Sequence, residues 1–99
     1  MMDRAHVPVL KEEILGLLEP GPGRRFVDGT FGFGGHSEAF LEAGADVLGM
    51  DLDEEAVAAC RRISTDRPRL RCHHGSFRDL AQAVQAAGWD AVDGILLDL

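Results

Sequence analysis

The sequence predicts an α/β fold, the first half of a doubly wound parallel sheet. Three observations carry this. Short apolar stretches of strand length alternate with longer stretches of helical periodicity, the pattern of right-handed β-α-β crossovers. Three of the strand-like stretches reach an aspartate at their ends, Asp28, Asp51 and Asp98. The last contains Ile95-Leu96-Leu97, apolar toward both faces, as in a central parallel strand covered by helices.

The elements follow in order. Val9 to Leu18 places Leu10, Ile14, Leu17 and Leu18 at helical spacing, which predicts an amphipathic helix. Pro20-Gly21-Pro22-Gly23 breaks it, so residues 1–23 read as an N-terminal helix and connector. Arg24 to Asp28 reads as a strand. The loop from Gly29 to Gly35 is too glycine-rich for regular structure. His36 to Ala43 reads as a helix with Ala39, Phe40 and Ala43 on one face, and Gly44 is its stop. Ala45 to Met50 is a second strand leading to Asp51. Asp53 caps a helix running to about Ile63, with Glu54 and Glu55 at the positive end of its dipole. Arg69 to His73 is a third strand. Ser76 caps a helix over Phe77–Ala87, with Asp79 in its first turn and Gly88 past its end. Ala91 to Asp98 is a fourth strand. A doubly wound fold continues past four strands, so 24–99 is expected to be the N-terminal half of a larger domain, truncated after the fourth.

Composition narrows the class. The chain has 99 residues, enough for one small domain or part of a larger one. Hydrophobic residues at 45% and charged residues at 27% exclude a fibrous protein and argue against disorder. No apolar run is long enough for a bilayer, and no secretory signal is visible. A cytoplasmic setting is therefore expected, with Cys60 and Cys72 as reduced thiols. Ten basic against seventeen acidic residues give a net charge of −7, which repels phosphate backbones at long range. Tyr is absent and Trp89 is alone, so stacking surfaces for bases are sparse. Cys72, His73 and His74 are neighbours on a strand and point to opposite faces, so no metal site is expected.

Ligands of open parallel sheets sit at the carboxyl ends of the strands. There the glycine loop carries Gly29, Gly32, Gly34 and Gly35 directly after Asp28. Its glycines permit a close approach of ligand to main chain. Their register does not match the dinucleotide fingerprint G-x-G-x-x-G, and no Gly-Lys-Ser/Thr follows to make a phosphate loop. A carboxylate at Asp28 repels a pyrophosphate and attracts an ammonium or sulfonium group. Asp51 reads as an acceptor for both hydroxyls of a ribose, with helix capping as the alternative, and Asp53 as a helix cap, with ribose binding as the alternative. These charges favour S-adenosylmethionine over NAD. Phe77 lies near the third strand's end, as an adenine contact or as a core residue of its helix. His36 reads as a loop-shaping or ligand-adjacent group, and His6 as exposed or lightly packed.

The blocks His6-x-Pro8-Val9-Leu10 with Glu13, Val27-Asp28-Gly29-Thr30-Phe31-Gly32-x-Gly34-Gly35-His36-Ser37, Gly49-x-Asp51-x-Asp53-x-x-Ala56, His74-Gly75-x-Phe77 and Val92-Asp93-Gly94-Ile95-Leu96-Leu97-Asp98-Leu99 stand in order along the whole chain. In them the sequence resembles the MraW/RsmH family, bacterial methyltransferases that use S-adenosylmethionine to modify N4 of a cytidine in 16S ribosomal RNA. The resemblance implies a Rossmann-like class I methyltransferase fold. It implies a donor loop at Gly34, Gly35 and His36, a ribose contact at Asp51, an adenine contact at Phe77 and an acid at the donor's reactive end, Asp98. Asp28 and Gly32 join this set from the residues themselves. Phe33 occupies a variable loop position. The family continues past this chain into the parts expected to bind RNA and complete the site, so 16S ribosomal RNA is expected as a partner through those parts. No membrane or metal is expected.

The implied reaction is an in-line displacement in which N4 attacks the donor methyl. The N4 lone pair is delocalised into the ring, so an acceptor must hold its N–H and orient it. Asp98 is the candidate catalytic group, as that acceptor or as a donor-orienting acid. The base must first be exposed, by flipping or by an open RNA conformation. Two alternatives stand beside this one: a fragment of a nicotinamide-dependent dehydrogenase, and a truncated fragment with no activity of its own.

Overall fold

A computed structural model of the chain describes residues 19–32 and 35–96. The helix expected over Val9–Leu18 and the end of the fourth strand lie outside the described residues. The elements are β1 (Arg25–Asp28), α1 (Gly35–Glu42), β2 (Asp46–Asp51), α2 (Glu54–Ser64), β3 (Leu70–His74), a 3-10 turn (Phe77–Asp79), α3 (Leu80–Ala86) and β4 (Gly94–Leu96). The four strands are parallel and lie in the order β3-β2-β1-β4. Val27 pairs with Leu48 on one side and Ile95 on the other. The chain thus builds outward from β1 to β3, then returns to the far side of β1. That reversal opens a crevice at the carboxyl ends of β1 and β4.

Strand alternation sends side chains to two cores. Phe26, Val47 and Leu70 pack with Phe40 and Leu41 of α1 and Cys60 of α2. Phe26 and Phe40 meet edge to face, with centroids 4.7 Å apart and planes at 81°, a favoured geometry for aromatic pairs. On the other face Val27, Leu48 and Met50 pack with Ala83, Ala87 and Trp89, the last two just past α3. Helices therefore cover both faces, as the alternating sequence predicts.

Four local outcomes matter. Asp53 caps α2 as expected, its Oδ1 accepting the Glu55 N–H at 2.9 Å. The helix expected over Phe77–Ala87 is split. Ser76 Oγ accepts the Arg78 N–H, and Asp79 Oδ2 accepts the Ser76 N–H. These bonds close a 3-10 turn before α3 begins. Among the described residues, β1 and β2 each have a strand on both sides, whereas β4 pairs with β1 alone and Ile95 is 39% exposed. The apolar run marks a strand, and β1 is its described partner.

The fourth outcome is a correction. Cys60 and Cys72 are joined as a disulfide rather than left as free thiols. Packing α2 on β3 brings their Cα atoms to 6.1 Å, within the span of a disulfide. The expectation of reduced thiols rested on compartment, which carries no information about this tertiary contact.

Candidate functional site

The site is built where β1 and β2 end. Asp28, the last residue of β1, is 4% exposed. Its Oδ2 accepts the Ser37 hydroxyl at 2.9 Å and its Oδ1 accepts the Thr30 N–H at 3.3 Å. The acid therefore ties the glycine loop to the first turn of α1 from beneath. The Gly29 N–H continues toward the sheet, donating to the Leu96 carbonyl at 2.8 Å.

From there the chain crosses to β2. The Phe31 N–H donates to the Met50 carbonyl at 2.9 Å, and the Gly32 N–H donates to Asp51 Oδ2 at 2.9 Å. Gly32 has φ +60, a conformation that side chains disfavour. Asp51 Oδ1 accepts the Asp53 N–H at 2.9 Å, and the Asp51 carbonyl accepts the Gly75 N–H at 3.0 Å. One half-buried aspartate thus joins the loop after β1, the start of α2 and the end of β3. Each carboxylate oxygen accepts one main-chain N–H and keeps a further lone pair.

Three features here have no local signature in the sequence. Leu52 follows Asp51 and is 70% exposed, an apolar surface beside the carboxylate. His74 Nε2 lies 2.9 Å from the Leu52 carbonyl oxygen, to which its N–H tautomer donates. Exposure and a bond across 22 positions leave no local pattern. The Phe31 ring is also buried, set against Gly49 of β2, where the sequence shows only a loop phenylalanine.

Acids gather at the carboxyl ends of the strands, with Arg78 among them, while the amino ends carry both signs, including Asp46, Asp66 and Asp93. Asp28, Asp51, Asp53, Glu54, Glu55 and Asp79 cluster around the carboxyl ends, and Arg24, Arg25, Arg67 and Arg69 stand near the amino ends. Two open surface pockets of about 110 Å³ each lie away from this rim. One is lined by Leu41, Arg67, Pro68 and Arg69, the other by β3 and α3 residues including Arg71 and Ala83. Neither includes Asp28, Asp51 or the glycine loop, and both are smaller than cavities that enclose a nucleoside-sized ligand.

Of the expected site residues, Asp28, Gly32 and Asp51 are brought together at the tips of β1 and β2. The backbones of Gly35 and His36 open α1, and that of Phe77 opens the 3-10 turn after β3. Gly34 and Asp98 lie outside the described residues.

Residues 3–99 match the MraW methylase family. The ribosomal RNA small subunit methyltransferase H of Anaeromyxobacter sp. (strain K) is 49% identical over 98 residues, covering 98% of this chain and 32% of that protein. The protein of the same name from Thermomicrobium roseum is 48% identical over 102 residues, covering 99% and 31%. The chain spans about a third of the length of these curated relatives. Among solved structures, TrmN from Thermus thermophilus is similar with a TM-score of 0.66 and 26% identity, covering 91% of this chain and 27% of that one. A methyltransferase from Geobacter sulfurreducens shares the fold with a TM-score of 0.61 and 24% identity, covering 96% and 48%. The fold is the Rossmann-like one of S-adenosylmethionine-dependent methyltransferases.

Proposed function

The chain belongs to the MraW methylase family, and from that premise we propose that it forms the donor-binding part of an S-adenosylmethionine-dependent methyltransferase acting on N4 of a cytidine in 16S ribosomal RNA. The observation that carries this reading is the Asp51 carboxylate. It stands at the tip of β2, beside the switch in strand order, with both oxygens oriented by main-chain N–H groups. Its spare lone pairs suit the two hydroxyls of a ribose.

The surrounding residues fit the rest of the donor. Leu52 offers an apolar surface for adenine, with Phe77 as the second candidate. Gly32, Gly34, Gly35 and His36 line the donor's amino-acid portion. Asp28 acts through its negative charge, since its described bonds turn it inward to Ser37 and Thr30. The acids around the strand tips attract a sulfonium and an ammonium group and repel a diphosphate. This weighs against the nicotinamide-dehydrogenase alternative. When bound, S-adenosylmethionine supplies an electrophilic methyl group.

The chain's own contribution to transfer is orientation. Asp98, in the role proposed for it, accepts an N4–H of the cytosine and aims the nitrogen lone pair. Contacts to the RNA belong to the remaining length of the protein, and the isolated chain is proposed to be inactive. No described helix is long and apolar enough to cross a membrane, which is compatible with the proposed cytoplasmic setting.

Calorimetric titration of S-adenosylmethionine into the whole protein tests the donor assignment. Binding that is weakened by Asp51→Ala is expected, and equal binding by the variant overturns the reading. The acceptor is tested by methylating small ribosomal subunits and digesting the RNA to nucleosides. N4-methylcytidine is expected by mass spectrometry, and a methyl group on any other atom rejects the proposed acceptor.

A further inference from the structure

We infer that Phe31 is a positioning residue for the donor: its ring, seated in the notch that Gly49 leaves in β2, fixes the glycine loop where Gly32 meets Asp51. The inference rests on the donor-binding reading above. Val47, Gly49 and Asp51 share one face of β2 by strand alternation. Val47 is buried in the core beneath α1 and α2, and Asp51 ends the row at the strand tip. Between them Gly49 has no side chain, and the Phe31 ring fills the place. A Cβ added at Gly49 would lie 3.0 Å from Phe31 Cγ and 3.1 Å from its Cε1, with Cδ1 closer still. The ring is 4% exposed and belongs to the same core as Phe26 and Phe40.

The main chain at this ring is the part that bonds β2. Phe31 N–H reaches the Met50 carbonyl, and the next amide, that of Gly32, reaches Asp51 Oδ2. A rigid ring buried next to two consecutive hydrogen bonds allows the loop one register on the strand. Without the ring, the glycines leave the loop many conformations. Donor affinity then falls by the fraction of time the loop is in place.

Gly49 and Phe31 should therefore act as one device. Gly49→Ala expels the ring and Phe31→Ala deletes it, so the two changes together should do little more than Phe31→Ala alone. The test combines calorimetry of S-adenosylmethionine binding to the whole protein with amide hydrogen exchange in the absence of donor. Each single variant is expected to raise the donor Kd about tenfold or more and to speed exchange at Gly32 to a similar degree. Amides of the β1–β2 ladder, such as Leu48, should keep their protection. In turnover, the KM for donor should rise while kcat at saturating donor is retained, a split that a general loss of stability does not produce.

Donor affinity within about threefold of wild type in Gly49→Ala overturns the inference, as does a double variant whose loss equals the product of the single losses. Should Phe31→Ala not fold, Phe31→Leu replaces it. Leu keeps an apolar peg and should stay within about threefold of wild type while Gly49→Ala does not; equal losses overturn the inference. Exchange at Gly32 separates the two levels of the argument. A wild-type protein that binds no donor overturns the donor reading, and Gly32 exchange in the variants still decides whether Phe31 sets the loop.

Discussion

The Gly32 N–H donates to Asp51 Oδ2 across 19 positions of sequence, and the opposite oxygen of the same carboxylate takes the Asp53 N–H. Hydrogen bonds to a charged acceptor contribute about 1.5–3 kcal/mol each. Asp51→Ala removes both, together with the proposed ribose contact. Donor affinity should fall roughly ten- to hundredfold, and the Gly32 amide should lose exchange protection. Asp51→Asn keeps one carbonyl acceptor but sets an NH2 group against the other N–H. It should rescue only part of the loss, and full rescue would show that the charge is dispensable.

Asp53 stands two residues away and has a different task. Its Oδ1 accepts the Glu55 N–H as the cap of α2. Asp53→Ala should lower stability by about 1 kcal/mol, read as a shift in the urea midpoint. The bond from the residue 53 amide to Asp51 survives, since it is made by main chain. Donor binding should therefore stay within about twofold, and a larger loss would move the ribose contact toward Asp53.

Ser37→Ala tests the buried tie under the loop. The hydroxyl is buried and donates to Asp28 Oδ2 at 2.9 Å. Its removal takes one donor from a buried carboxylate, which costs about 1–3 kcal/mol. Chemical denaturation should show this, and Ser37→Thr should recover part of it. An unchanged midpoint in Ser37→Ala would mean that the tie contributes nothing.

Reduction of Cys60–Cys72 should loosen α2 from β3. The bond closes a short loop, with a sequence separation of 12. Cross-links of about this size contribute roughly 3 kcal/mol. A thiol reductant should lower the melting temperature, and Cys60→Ala should melt lower and ignore the reductant. Two reactive thiols in the untreated native protein would show that the bond is not formed in solution.

How much of this was legible in the sequence depends on the range of each interaction. The strand ending at Asp28, the strand leading to Asp51, the stop at Gly44 and the Asp53 cap are local, written in alternation, glycine placement and capping chemistry. The convergence of Asp28, Gly32 and Asp51 followed from a general rule about parallel sheets. The Phe31–Gly49 fit, the His74–Leu52 bond and the cystine depend on which element lies over which, and no periodicity encodes that. Asp79 was read as a first-turn acid of a longer helix, but its side chain turns back to the Ser76 N–H and the helix starts later. The apolarity of Ile95-Leu96-Leu97 reads as a central strand covered by helices. Among the described residues that run has β1 as its partner, while β1 and β2 are each flanked by two strands.

The order of the sheet also bears on how the chain is made. Arg25 bonds Asp93 through both main chain and side chain, a partner 68 residues downstream. The β1–β2 ladder needs only the first crossover, so it is available early in synthesis. The other flank of β1 stays bare until almost the entire described chain has emerged from the ribosome. Contacts this distant in sequence are closed slowly. Of the two inner strands described, β1 is thus the first to be synthesised and the second to be flanked on both sides.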